Sequence, residues 1–438
     1  MTPFDIGVAM FVAALVLIAL RMPVGIAMIL VGGIGFAAIA GWPRLFATLN
    51  SMTYGRFSSY TLSVIPLFLL MGDFATKGGM NRALFRCARA WMGHWRGGLA
   101  VATIGGCAAF GAICGSSLAT AATMSQVAGP EMRRHGYSPA LSTGTLAAGG
   151  TLGILIPPSV ILVIYAIYTE TSIGTLFIAA VIPGLLATTG YMLVVNLYAR
   201  LHPDAAPAAE RMGWGERLAA TRDVWPVGLV FILVVTGIYD GWFSATEGAA
   251  IGAGATGILA VVLGGMRWQG LKESLLSTAE TTGLIFVVLL GAELFSAGLA
   301  LSRLPAELSA LVAGLDVPPL AILLAILVIY FILGCFMESL AMVLLTLPIF
   351  VPLMLSLDFG LDKTATLVWF GILVLMSVEV GMISPPFGLN LFVINAMAKD
   401  VPMRETYRGV MGFVVSDAIR IFFLALFPAL SLWLPGLW

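Results

Sequence analysis

The chain has 438 residues, 60% hydrophobic and only 10% charged, with a formal net charge of +0 and a mean hydropathy of +1.02. A soluble domain carries nearer 25% charge, so the composition excludes a soluble globular domain and predicts an all-α polytopic membrane protein. The first residues carry Asp5 rather than a basic leader, so no cleavable signal peptide is expected.

About 20 apolar residues cross a bilayer as a helix. In chain order, spans are expected at 4–20, 24–41, 58–76, 139–168, 173–199, 224–242, 245–265, 275–300, 364–397 and 409–436. Two further apolar regions, 98–130 and 317–352, are broken in the middle, by Cys114-Gly115-Ser116-Ser117 and by Gly334 to Ser339. Each half-region, roughly 13–16 residues, reaches only about 20–24 Å at 1.5 Å per residue, short of a 30 Å hydrocarbon core. Re-entrant hairpins that enter and leave on one side fit better than four thin spans. Segment 77–97 reads as an amphipathic interfacial helix ahead of the first hairpin, with a counterpart near 301–315. The polar, proline-containing stretch 201–223 is the natural linker between halves.

Basic residues test this layout. With both hairpins in place, the segments at 21, 77–96, 133–134, 200–222, 267–272 and 399–408 put 17 basic residues on one face, against Arg44, Arg56, Arg303 and Lys363 on the other. The rich face is expected to be cytoplasmic, with both termini periplasmic. Each half then holds five crossings and one hairpin, so residues 1–200 and 224–438 are expected to form an inverted repeat, as in secondary transporters.

Two strings support the repeat. Gly153-Ile154-Leu155-Ile156-Pro157-Pro158 is matched 228 residues later by Gly381-Met382-Ile383-Ser384-Pro385-Pro386. Paired prolines remove two backbone donors and interrupt a helix. In lipid, broken backbone survives only inside protein or beside a water-filled cavity. The breaks and the hairpin tips therefore mark a midplane binding site. Loop carbonyls and hydroxyls there suit Na⁺, and helix N-termini face an anion. Candidate cargo contacts are Ser116, Ser117, Thr120, Thr151, Pro157, Ser339 and Asn390. Candidate Na⁺ positions are Gly115, Ser116, Gly149, Gly153, Gly334, Met337, Glu338, Gly381, Ser384 and Pro385. The bland alternative is that these small residues only permit close helix packing.

Glu338 is the leading buried acid, placed to organise its tip by accepting backbone N–H bonds. Glu247 reads as a first-turn acid, Glu280, Glu293 and Glu379 as interfacial or interhelical groups, and Asp73 falls near the cytoplasmic end of its span. Arg420, with Asp417 three residues earlier, reads as a structural pair. If the cargo is anionic, its charge must then be balanced by bound cations and helix N-termini, which predicts cation-coupled uptake. Cys107 and Cys114 read as packing residues, and the three histidines fall in polar connections. No phosphate-binding GxxxxGK[ST] loop, Cys-His cluster, Ser-His-Asp order or nucleic-acid-binding stripe appears. A membrane enzyme would need clustered catalytic groups that are absent here, and a channel suits a hairpin-and-break plan poorly.

The segments 110–121, 149–159, 246–250, 334–338 with Pro348 and Pro352, and 381–390 resemble, in order and across essentially the whole chain, the large membrane subunit of tripartite ATP-independent periplasmic (TRAP) transporters. One departure is Ser384, where that family often has Thr; the hydroxyl is kept. The resemblance implies an elevator mechanism, with hairpins and broken spans moving against the remaining helices. It implies Na⁺ coupling at two or more sites, no nucleotide, and a place in a bacterial inner membrane. It further implies a separate four-helix small subunit, a periplasmic substrate-binding protein, and an organic acid cargo. The alternative within the same superfamily is a stand-alone Na⁺- or H⁺-coupled organic anion carrier.

Overall fold

The computed structural model describes residues 1–315 and 317–437; Asp316 and Trp438, both in the expected second half, lie outside the described residues. Among the described residues every regular element is helical. The first half contains α1 (Pro3–Ala19), α2 (Val24–Ala40), α3 (Trp42–Phe57), α4 (Val64–Lys77), α5 (Met80–Met92), α6 (Gly98–Cys114), α7 (Ser117–Arg134), α8 (Pro139–Leu155), α9 (Val160–Thr169) and α10 (Ile173–Leu201). The linker carries α11 (Trp214–Arg222). The second half contains α12 (Trp225–Tyr239), α13 (Ala245–Val262), α14 (Trp268–Ser302), α15 (Leu304–Ala313), α16 (Pro319–Gly334), α17 (Ser339–Ser356), α18 (Lys363–Ile383), α19 (Leu389–Met397), α20 (Met403–Leu426) and the short α21 (Ala429–Leu432).

α5 is amphipathic: Met80, Leu84 and Phe85 are buried while Arg82 and Arg86 are exposed. α6 and α7 return the chain to where it started. The Gly97 N–H donates to the Ala206 carbonyl at 3.1 Å, and the Ser138 N–H donates to the neighbouring Ala205 carbonyl at 2.9 Å. The Leu99 N–H donates to the Tyr137 hydroxyl at 3.1 Å, and Arg89 pairs with Glu131 at 2.7 Å. The outer ends of α6 and α7 thus meet one linker on one face. Ion pairs Lys77–Glu273, Arg86–Asp223 and Arg133–Asp400 stitch the same basic face.

The structure differs from the sequence expectation in several places. α3 forms where a connection was expected, and bends 55° from the segment that contains α4. The arms of the two broken regions have 17, 18, 16 and 18 residues; three exceed the 13–16 expected and α16 sits at its upper limit. They overrun because helix continues past the apolar stretch, as α7 does to Arg134. Among the described residues seven helices are long and apolar enough to span, or nine if two bent pairs count as single spans. α1 and α2, with 17 residues each, fall at the short end of the spanning range. α14, at 35 residues, extends about 52 Å and projects beyond a bilayer. The linker is not plain loop: buried Arg217 of α11 sits over the Trp91 and Trp214 rings, 5.7 and 5.4 Å from their centres.

Packing divides the helices. α2 lies along α14, and α13 along α4 and α12. α8 packs against α6, α7, α10 and α20, while α18 packs against α16, α17 and α20. α10 and α20 therefore sit with the broken helices, not with the remaining spans. A Cβ on Gly409 of α20 would overlap the Ala140 carbonyl of α8, so glycine lets these two backbones touch.

Candidate functional site

Each tip is shaped by the start of a helix. At the first, Gly115 takes φ +62°, a left-handed conformation that glycine enters without steric cost. Ser116 then caps α7 by accepting the Ala119 N–H at 3.4 Å. At the second, residues 335–338 connect the arms. The Glu338 carboxylate caps α17, accepting the Ala341 N–H at 3.2 Å and the Ser339 hydroxyl at 3.1 Å. A negative cap answers the positive end of the helix dipole.

The breaks stand directly against the tips. An ideal Cβ on Gly153 would lie 2.6 Å from the Ser116 carbonyl oxygen, and one on Gly381 would lie 2.6 Å from the Gly334 backbone. Neither position has room for a side chain. In a helix the N–H of residue i serves the carbonyl of i−4, and proline has none. Pro157, Pro158, Pro385 and Pro386 therefore deprive the carbonyls of Gly153, Ile154, Gly381 and Met382 of their usual donors. Both double prolines are cis. The Ser384 N–H takes up the Gly381 carbonyl at 3.1 Å, so each half keeps helical carbonyls without their i+4 donor beside a tip, and such oxygens are the donor chemistry a hard monovalent cation takes.

Both tips open on one cavity of about 380 Å³. Gly115, Ser116 and Ser117 line it from the first tip, Glu338 and Ser339 from the second, with Ile154 and Met382 from the two breaks. Leu69 of α4 and Thr281, Leu284, Ile285 and Val288 of α14 close the far wall. Among the described residues Glu338 is its sole charged lining residue, and no basic side chain lines it.

Other candidate residues lie behind this cavity. Thr120 is buried against Gly153 with its hydroxyl unpartnered, and Gly149 packs on Cys107. Pro157 and Met337 are buried. Ser384 donates to the Val380 carbonyl at 2.6 Å, and Pro385 follows it in the break. Asn390 of α19 donates to the Ser117 hydroxyl at 2.8 Å and to the Ala147 carbonyl at 3.2 Å. It fixes the first tip from the second half of the chain.

Thr151 turns the other way. It bonds the Ala148 carbonyl at 2.7 Å and meets the Tyr191 hydroxyl at 3.1 Å. Tyr191 donates to Asp417 at 2.7 Å, and Asp417 pairs with Arg420 at 2.8 Å. Glu379, 0% exposed and with neither oxygen bonded, lies in the field of both. Sequence reasoning found Asp417 and Arg420 by spacing, but missed Tyr191, which sits unmarked in an apolar run. It also missed the wall residues of α4 and α14, because spans there carry no break or motif. On the basic face, burial and then the nearby Arg217 and Arg211 hold the His94 imidazole below its usual range.

A family model described as "Tripartite ATP-independent periplasmic transporter, DctM component" matches residues 11–430. Similar relatives include the C4-dicarboxylate TRAP transporter large permease protein DctM of Pseudomonas aeruginosa, 38% identical over 379 residues and 86% of each chain. The ectoine TRAP transporter large permease protein TeaC of Halomonas elongata is 32% identical, covering 96% of this chain and 97% of its own. The sialic acid TRAP transporter large permease protein SiaM of Vibrio cholerae is 31% identical over 95% of both. Among solved structures, the Alcanivorax borkumensis YdaH transporter shares the fold with a TM-score of 0.60 at 15% identity, over 88% of each chain.

Proposed function

The chain belongs to the DctM-component family of TRAP transporters, as a large membrane subunit, and from that premise we propose that it imports an organic acid in symport with Na⁺. A periplasmic binding protein delivers the cargo, and a separate small membrane subunit completes the complex. The observation that carries the reading is the single cavity lined by both tips and both breaks. Two capped helix N-termini and the proline-interrupted ends of α8 and α18 converge there, while among the described residues no cationic side chain does. An anionic cargo at that place needs bound cations to balance it, which is what couples uptake to Na⁺.

The packing supports an elevator. α6–α10 and α16–α20 would move together against α2, α4 and α12–α14, carrying the tips past Leu69 and Thr281. The cavity shares Leu69, Ser116 and Thr281 with a smaller one, which shares Thr76 with a groove at Lys77, Arg82, Arg86 and Arg89. The excess of basic residues makes that face cytoplasmic, so this conformation opens inward. Both termini then lie in the periplasm.

Proteoliposomes holding this chain, its small subunit and a cargo-loaded binding protein test the reading. Uptake requires an inward Na⁺ gradient; equal uptake with K⁺ removes the coupling. Uptake by this chain alone would favour the stand-alone carrier.

A further inference from the structure

We propose a third kind of cation position, a release site at Asp73 on the stationary side of the path, distinct from the tip-and-break positions. It rests on the Na⁺-coupled reading above. A cavity of about 160 Å³ lies between α4, α14 and the first tip, lined among others by Asp73, Thr76, Cys114, Ser116, Thr278 and Thr281. Its volume is about five water molecules, enough for an ion with part of its hydration shell and too small for a multi-carbon acid beside that ion. Apart from the Cys114 thiol, the polar side chains that line it carry oxygen, one carboxylate and five hydroxyls, the chemistry of alkali cations. Among the described residues no basic side chain lines it, although Lys77, Arg82, Arg86 and Arg89 line the adjoining groove.

Two buried oxygens on residues that line this space have no protein partner: Asp73 Oδ2 and the hydroxyl of Thr278, a residue 8% exposed. Buried oxygens left bare cost free energy unless something fills the site. Gly72 brings the α4 backbone close to the end of α6, where an added Cβ would be 3.0 Å from the Cys114 carbonyl oxygen. The last carbonyls of α6 carry the negative end of its dipole and, with the Asp73 carboxylate, offset the positive start of α7 at Ser116. Sharing Ser116 with the tip cavity and Thr76 with the basic groove, it lies on the way out. An ion leaving the first tip passes to Asp73, while the anion leaves along the arginines.

A site of this kind makes cytoplasmic Na⁺ a competitor. In proteoliposomes oriented by binding-protein addition, uptake is measured against rising internal Na⁺ at fixed external Na⁺. Asp73→Asn raises the half-inhibiting internal concentration at least fivefold, while the external Na⁺ dependence stays within twofold. Thr278→Val, close to isosteric, shifts it in the same direction and carries the test if Asp73→Asn does not reach the membrane. Unchanged internal inhibition in variants whose uptake still needs external Na⁺ overturns the site and leaves the coupling standing. Wild-type uptake indifferent to Na⁺ on both faces overturns both.

Discussion

The two broken helices are alike at their prolines and differ six residues earlier, where Thr151 stands in the first and Glu379 in the second. Thr151 satisfies itself within its own helix and reaches Tyr191. Glu379, equally buried, bonds nothing. The repeat has been filled asymmetrically: a neutral hydroxyl on one side, an acid on the other, with Arg420 the cation in the field of Glu379 and Asp417. Behind two similar half-sites lies one shared charge system that ties α8, α10, α18 and α20 into a body.

The sharpest way to break that comparison is to remove its cation. Arg420→Leu leaves two buried acids uncompensated and should cost about 3–5 kcal/mol, read as a large fall in the thermal unfolding midpoint in detergent. Adding Asp417→Asn should recover part of it. An unchanged midpoint for Arg420→Leu would show that the pair is idle. Next in size are the close backbone contacts. Gly153→Val and Gly381→Val each overpack a tip against a break, costing about 1–3 kcal/mol and cutting uptake at least tenfold. If one is tolerated, the two breaks do not share a role.

The caps separate stability from transport. Ser116→Ala and Glu338→Ala each remove one helix cap, worth about 1 kcal/mol, so they should lower the unfolding midpoint similarly. Among the described residues only Glu338 brings charge into the cavity, so its loss should depress uptake severalfold more; equal depression would make both tips simple caps. The smallest effect concerns the linker. His94 is held below its usual range, so its protonation favours the undocked chain. The docked linker should be stable above the free histidine value near 6.5 and weaken as pH falls below it. Protease protection of the linker followed from pH 7.5 to 5.5 should show this, and His94→Gln should flatten the profile.

Much of this layout was legible because proline and glycine act through the backbone. The double prolines located the breaks, and short apolar runs interrupted by Gly115-Ser116 or by Gly334 to Glu338 located where α6 and α16 stop. What stayed hidden depends on neighbours rather than on spacing. Nothing in its own span marks Tyr191 as the bridge between Thr151 and Asp417, and Asn390 gives no sign that its partner is Ser117, 273 residues away. α3 was missed because its sequence, with Pro43, Arg44 and Asn50, is too polar to signal a span.

A paired-cysteine measurement tests most directly whether both tips share one cavity. Ser116→Cys and Ser339→Cys are introduced together with Cys87, Cys107, Cys114 and Cys335 replaced, a short bifunctional thiol reagent is added, and the linker at 201–223 is then cleaved. The account predicts that the two halves remain joined, that uptake is blocked, and that Na⁺ with cargo protects against bridging. Two singly labelled cysteines that never bridge would contradict it.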